Sequence, residues 1–173
     1  MTGVNTVDVS ASATLSGLNH LSMAVRDLDE AVRFWTSIFD AHVLWVNHSA
    51  HFGEVRVAGI IIGFAEGEPG ATGHGEEYPH WGFTVEPSAM RPLQHRLHAF
   101  GVPTSDIWTR RQVEALMYFR DPSGNLLEFY CPQGFDGVAD LPLGVFGGGT
   151  YEPDLFALHY DTWNDSTSAL EKR

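Results

Sequence analysis

The sequence predicts an α+β chain built from two copies of a strand–helix–three-strand module, and three observations carry that prediction. A weak internal repeat sets "HLSMAVRDLDEAVRFWTSIFDA", from His20, beside "HWGFTVEPSAMRPLQHRLHAFG", from His80. Each copy opens on an alternating run that ends in valine five residues later (Val25, Val85) and then passes into a helical pattern. A Gly-, Pro- and Glu-rich stretch, "EGEPGATGHGEEYP", separates the copies as a linker or lid.

Each element has a local reason. In the first helix Asp27 and Glu30 have capping-box spacing, and Leu28, Ala31, Val32, Trp35 and Ile38 form an apolar stripe. The second helix is expected over about 88–100, stopped by Gly101, with Pro92 early enough to be tolerated. Strand-like segments follow each helix. In the first copy they are "HVLWV" and the two halves of "EVRVAGIIIGF"; in the second they are "SDIWT", "ALMYF" and "NLLEFYC". The modules thus span about 17–68 and 78–132 of a domain at 17–132. Residues 1–16 read as a flexible leader. Residues 133–173, with "GVFGGGTYEPD", read as an extension packing on the body or on a partner.

The 173 residues suffice for one domain with a substantial core. A net charge of −12 argues against nucleic acid and anionic membrane surfaces, and no stretch is long and apolar enough to span a bilayer. The lone cysteine, Cys131, excludes an internal disulfide framework and fits a reducing cytoplasm. Nine histidines in an acidic chain turn attention to metal or proton chemistry.

"MYFRDPSGNLLEFY" (117–130) contains the sharpest local puzzle. The Asp-Pro-Ser-Gly turn separates two apolar strands, yet Glu128 interrupts the second and shares a face with Leu126. A carboxylate facing a core is costly unless something positive meets it. His20 and His80 hold equivalent places at the two module starts, and Glu128 lies on the last strand of the second module. Taken singly, each reads as an ordinary strand or core residue; their coincidence with the repeat points to a site. Two imidazoles and one carboxylate around a divalent cation leave coordination positions open, a pattern associated with non-haem Fe(II) oxygenases.

"LNHLSMAVRDLDEAVRFW", "HWGFTV" and "YFRDPSGNLLEFY" together resemble the vicinal oxygen chelate superfamily, which contains glyoxalases, bleomycin-resistance proteins and extradiol dioxygenases. The resemblance covers about residues 17–132. It implies paired β-α-β-β-β modules forming a cupped mixed sheet around a divalent metal, with His20, His80 and Glu128 at the ligand positions. Aligning "GIIIGF" with "GNLLEF" sets Gly63 opposite Glu128, where glyoxalases carry a fourth ligand that glycine cannot supply. A three-ligand site implies an extradiol dioxygenase that binds Fe(II) (alternatively Mn, Ni or Zn) and opens a small aromatic catechol such as L-DOPA with dioxygen.

Tyr118 occupies a place near substrate in such enzymes and also in the fosfomycin-modifying thiol transferases. "SDIWTRRQVEAL" lacks the Lys and Ser cluster with which those transferases hold a phosphonate. Neither does a histidine fall at the usual acid–base position, for which His74, His48 and His51 are the substitutes, and Arg110 and Arg111 are candidates for a substrate carboxylate. The competing expectations are a glyoxalase-like isomerase or lyase, an antibiotic-modifying thiol transferase, and a drug-binding resistance protein. The working unit is expected to be a homodimer in the cytoplasm. Either the two modules of one chain pair, or, as the resemblance implies for many members, a module pairs with its opposite from a second chain. His20 then comes from one subunit and His80 with Glu128 from the other.

Overall fold

The computed structural model describes residues 17–70 and 77–165. The first module consists of β1 (His20–Val25), α1 (Leu28–Phe39), β2 (His42–Asn47), β3 (Phe52–Val57) and β4 (Ile60–Glu66). The second supplies β5 (His80–Thr84), α2 (Met90–Ala99), β6 (Ala115–Arg120) and β7 (Leu126–Cys131). The α+β fold of two repeated modules is therefore the one the chain adopts. Among the described residues the strands form two mixed sheets, ordered β1-β4-β3-β2 and β5-β7-β6. The expected leader, 1–16, lies outside the described residues.

Helix α1 starts where its capping box places it. The Asp27 carboxylate accepts a hydrogen bond from the Glu30 backbone N–H at 2.8 Å. It ends at Asp40 in the left-handed region (φ 52°), which a short polar side chain tolerates. Arg96 of α2 donates to both Asp40 carboxylate oxygens at 2.9 and 3.0 Å, joining the two modules. Helix α2 begins two residues later than the sequence suggests, behind Ala89 and without a side-chain cap. Pro92 is then its third residue, where no intrahelical partner for an N–H exists.

The expected strand at 105–109 does not form as a strand. Its segment touches β6 through isolated bridges, Thr104 to Phe119 and Trp108 to Leu116. Two local features interrupt the ladder. Pro103 offers no backbone donor, and the Ser105 hydroxyl accepts the Tyr118 N–H at 2.9 Å, a position a backbone carbonyl holds in a regular ladder.

Alternation along each strand sorts the side chains onto two faces. Met23, Val25, Ile62 and Phe64 of the first sheet share one buried cluster with Met117, Phe119, Leu127 and Phe129 of the second. Helix α1 lies within that cluster. Its Trp35 meets Phe83 edge-on at 5.6 Å, and Phe39 meets Phe119 and Phe129 at 5.8 and 5.9 Å. The second sheet's other face carries Leu116, Tyr118 and Leu126 and packs against Trp108 and, from the C-terminal extension, Leu155 and Leu158.

The extension is seated by glycines. Thr109 pairs with Leu143, and Gly144 donates to the Thr109 carbonyl at 2.8 Å. A methyl group added at Gly144 would strike the Trp108 ring, and one at Gly147 would strike the Arg110 carbonyl. "GVFGGG" therefore approaches the 108–110 backbone more closely than any side chain permits.

Two stability predictions follow from these contacts. Asn125 Nδ2 donates to the Ala24 carbonyl and to Asp121, both at 2.8 Å, tying the second module's turn to β1. Asn125→Ala removes both side-chain bonds, although Asp121 keeps the Asn125 backbone N–H, and lowers unfolding free energy by about 1–2 kcal/mol, read by urea denaturation. Gly147→Ala forces the extension off the 108–110 segment and destabilises by about 1–3 kcal/mol in the same assay. A change below about 0.5 kcal/mol in either variant contradicts the assigned contact.

Candidate active site

Glu128 is answered from two sides within its own chain. It sits opposite Gly82 on β5 and opposite Tyr118 on β6. Its carboxylate is buried, with His80 Nε2 at 3.8 Å on one oxygen and the Arg110 guanidinium at 3.3 Å on the other. A methyl group at position 82 would fall 2.9 Å from the Glu128 carboxylate, so glycine there keeps the carboxylate's place open. Burial pushes the Glu128 carboxyl above the usual carboxylate range, against the pull of His80 and Arg110.

The His80 ring is oriented for ligation. Its Nδ1 lies 2.9 Å from the Glu77 carbonyl, which can only accept, so Nδ1 carries the proton. In the neutral ring Nε2 is then the lone-pair nitrogen, on the side of Glu128. The 3.8 Å gap is too long for a hydrogen bond. It does suit two donors that share a cation at about 2.0–2.2 Å from each.

Tyr118 is almost fully buried and stacks edge-on against His80 at 5.4 Å. Its hydroxyl donates a long hydrogen bond, 3.4 Å, to a Glu77 oxygen. Burial, with the Glu128 and Glu77 carboxylates beside it, raises its pKa far above the ordinary phenol value. At neutral pH Tyr118 is therefore a hydrogen-bond donor and not a base. Arg110 stacks over Trp108 at 5.6 Å, and its buried Nε has no hydrogen-bond partner among the described residues.

His20 stands apart. It is exposed at the start of β1, and its Nδ1 lies 3.0 Å from the Asn19 side-chain oxygen. Among the described residues no three His, Cys, Asp or Glu side chains gather as a metal cluster. The shared core gives the reason. Gly63 faces Ser22 as Glu128 faces Gly82, so the sequence alignment of the two last strands holds in the register. Both of these positions lie on the faces turned away from the buried cluster between the sheets, and His20 shares the Ser22 face, so the core that joins the modules does not itself gather His20 with His80 and Glu128. His74 lies outside the described residues. His48 and His51 belong to the first module's hairpin, beside Asp29 and Glu66.

Sequence reasoning missed the contact of Arg110 with Glu128. The residue was noticed for a substrate carboxylate, but its pairing depends on the irregular 105–114 segment, whose path no periodicity encodes. Glu77 carried no signal at all.

The profile of the glyoxalase/bleomycin resistance protein/dioxygenase superfamily matches residues 17–129. A glutathione transferase FosA of Serratia marcescens is 34% identical over 121 residues, covering 67% of this chain and 81% of that protein. A metallothiol transferase FosB of Shouchella clausii is 29% identical, with 67% and 80% covered. Among solved structures, a variant of the fosfomycin resistance protein FosX of Listeria monocytogenes superposes with a TM-score of 0.60. It is 25% identical, covers 69% of this chain and 95% of its own, and holds Mn(II) and 1S,2S-dihydroxypropylphosphonic acid.

These relatives overturn the expected extradiol dioxygenase, and with it an oxidoreductase that takes dioxygen and an aromatic catechol. They are named for thiol transfer and fosfomycin resistance. The donor set explains the misreading. Two imidazoles and a carboxylate, the donor set expected from the sequence, would accept any bidentate oxygen ligand, and a glycine at position 63 in place of a fourth ligand does not select redox chemistry. The missing Lys and Ser cluster does not leave the site without a cation, because Arg110 stands beside Glu128. Fe(II) has no support among these relatives, and the one metal named with them is the Mn(II) of the Listeria protein. No helix among the described residues is long and apolar enough to cross a membrane. The chain belongs to the glyoxalase/bleomycin resistance protein/dioxygenase superfamily.

Proposed function

We propose that the protein is a metal-dependent transferase that adds a thiol, or water, to a small phosphonate electrophile of the fosfomycin kind. The observation that carries this reading is Arg110. It is a fixed cation with an unbonded buried Nε, within 3.3 Å of Glu128 and stacked on Trp108. A planar guanidinium in that setting suits the paired oxygens of a phosphonate. The transferases and the fosfomycin resistance protein among the relatives point the same way.

His80 and Glu128 would hold the ion from one subunit, and His20 from a second, whose site face closes over the first. A divalent cation there supplies Lewis acidity toward a substrate oxygen without redox change. The residues of the chain do the rest. Arg110 binds the phosphonate and fixes its orientation. Tyr118, held protonated by its surroundings, donates to a substrate oxygen. The attacking sulfur or water oxygen forms a bond to an epoxide carbon while that carbon's bond to oxygen breaks. The freed oxygen keeps the electron pair and takes up a proton while the attacking thiol or water gives up its own, so the addition is neutral in protons.

Fosfomycin incubated with the Mn(II)-loaded protein and a thiol panel (glutathione, cysteine), or water alone, tests the reaction by phosphorus NMR. A new phosphonate resonance that disappears on chelation is expected. Unchanged fosfomycin under every condition defeats the proposal.

The shared site has its own test. His20→Ala and Glu128→Ala proteins should each lose stoichiometric Mn(II) binding. Mixed under conditions of subunit exchange, they should regain up to about one intact site per mixed dimer. A monomer by light scattering that retains its metal would disprove the arrangement.

A further inference from the structure

The family match ends at residue 129, yet the chain continues and returns to the site. Residues 145–156 close one side of a cavity of about 410 Å³ whose inner wall is Tyr118. Its apolar lining comes from Trp108 and Tyr118 of the body and from Val145, Phe146, Tyr151 and Phe156 of the extension. The two outermost, Phe146 and Phe156, are 79% and 69% exposed, an unusual condition for phenylalanine on a solvated arm. The arm is not loosely laid. Gly144 and Gly147 fit it against Trp108 and Arg110, and Tyr151 packs on the Trp108 ring at 5.8 Å.

A phosphonate the size of dihydroxypropylphosphonic acid would leave most of this volume to water, since organic ligands fill pockets of this scale. Three carboxylates, Glu77, Glu152 and Asp154, also line the cavity. Asp154 is engaged locally, accepting the Phe156 and Ala157 N–H groups at 3.1 Å. Glu77 and Glu152 give the cavity a negative charge, opposite in sign to Arg110 next door. The two ends therefore favour different chemistry. An anion belongs beside Arg110, and an apolar group free of negative charge belongs between the extension and Trp108.

We infer that the extension builds a substrate-tail pocket. The natural substrate carries an anionic, phosphonate-like head and a bulky apolar tail whose outer end bears no negative charge. The inference rests on the proposed function for the head group and adds the tail, which the superfamily match does not reach. Phe146 and Phe156 are the specificity-determining residues, and the close approach of Gly147 to the Arg110 backbone carbonyl seats the arm beside the segment that carries the head-group cation.

Calorimetric titration of the Mn(II)-loaded full chain with methylphosphonate and hexylphosphonate tests it. Hexylphosphonate should bind about tenfold or more tightly, the direction expected for burying several methylenes. The ω-aminohexyl phosphonate should outbind the ω-carboxypentyl one. In the exposed double variant Phe146→Ala/Phe156→Ala the hexyl-to-methyl ratio should fall below about threefold. Equal affinity for the two alkyl phosphonates overturns the inference while leaving the proposed function standing. An unchanged ratio in the double variant, with its mass shifted to monomer, also overturns it and makes the patch a contact between copies. Binding of neither phosphonate overturns the proposed function and the inference together.

Discussion

One buried cluster between the two sheets governs everything else in the chain. Trp35 and Phe39 of a first-module helix pack on Phe83, Phe119 and Phe129 of the second module's sheet. Because strand side chains alternate, committing those rings to the interior commits Gly82, Tyr118 and Glu128 to the opposite face. The same holds for Ser22 and Gly63 in the first sheet. The modules are thus joined by the sides that do no chemistry. His20, on the outer face with Ser22, is exposed and does not join His80 and Glu128 in a cluster among the described residues.

The electrostatics follow from that placement. Glu128 is buried on a face that its own strand cannot satisfy, and its compensation comes from β5 and from an irregular loop. A carboxylate held between an imidazole and a guanidinium is partly neutralised before any metal is considered.

Much of this architecture was legible in the residues. The repeat gave both modules, the Asp27 cap gave the start of α1, and the alignment of Gly63 with Glu128 reappears in the strand register. What the sequence hid lies in segments without a period. The 105–114 loop replaces a strand because Ser105 bonds through its hydroxyl, and it is this loop that carries Arg110. No pattern in the sequence shows that this loop sets a guanidinium beside Glu128, where the fosfomycin-modifying relatives' Lys and Ser cluster is missing. The extension's apolar character was readable, but its seat on Trp108 and Arg110 was not, since it depends on backbone approach and not on side-chain pattern.

The two-faced strands also bear on how such a chain changes over generations. Residues that hold the fold and residues that meet a ligand alternate along β6 and β7, so they mutate under separate constraints although they are neighbours in sequence. A substitution at Phe146 or Phe156 costs the folded state little, because both side chains are already largely in water. New specificities can therefore be sampled on the arm without first acquiring compensating stability. Position 82 is the counterexample. It faces the ligand side, yet a methyl there would lie 2.9 Å from the Glu128 carboxylate, and Gly63, its counterpart in the first sheet, is as closely hemmed by Phe52 and Ser22.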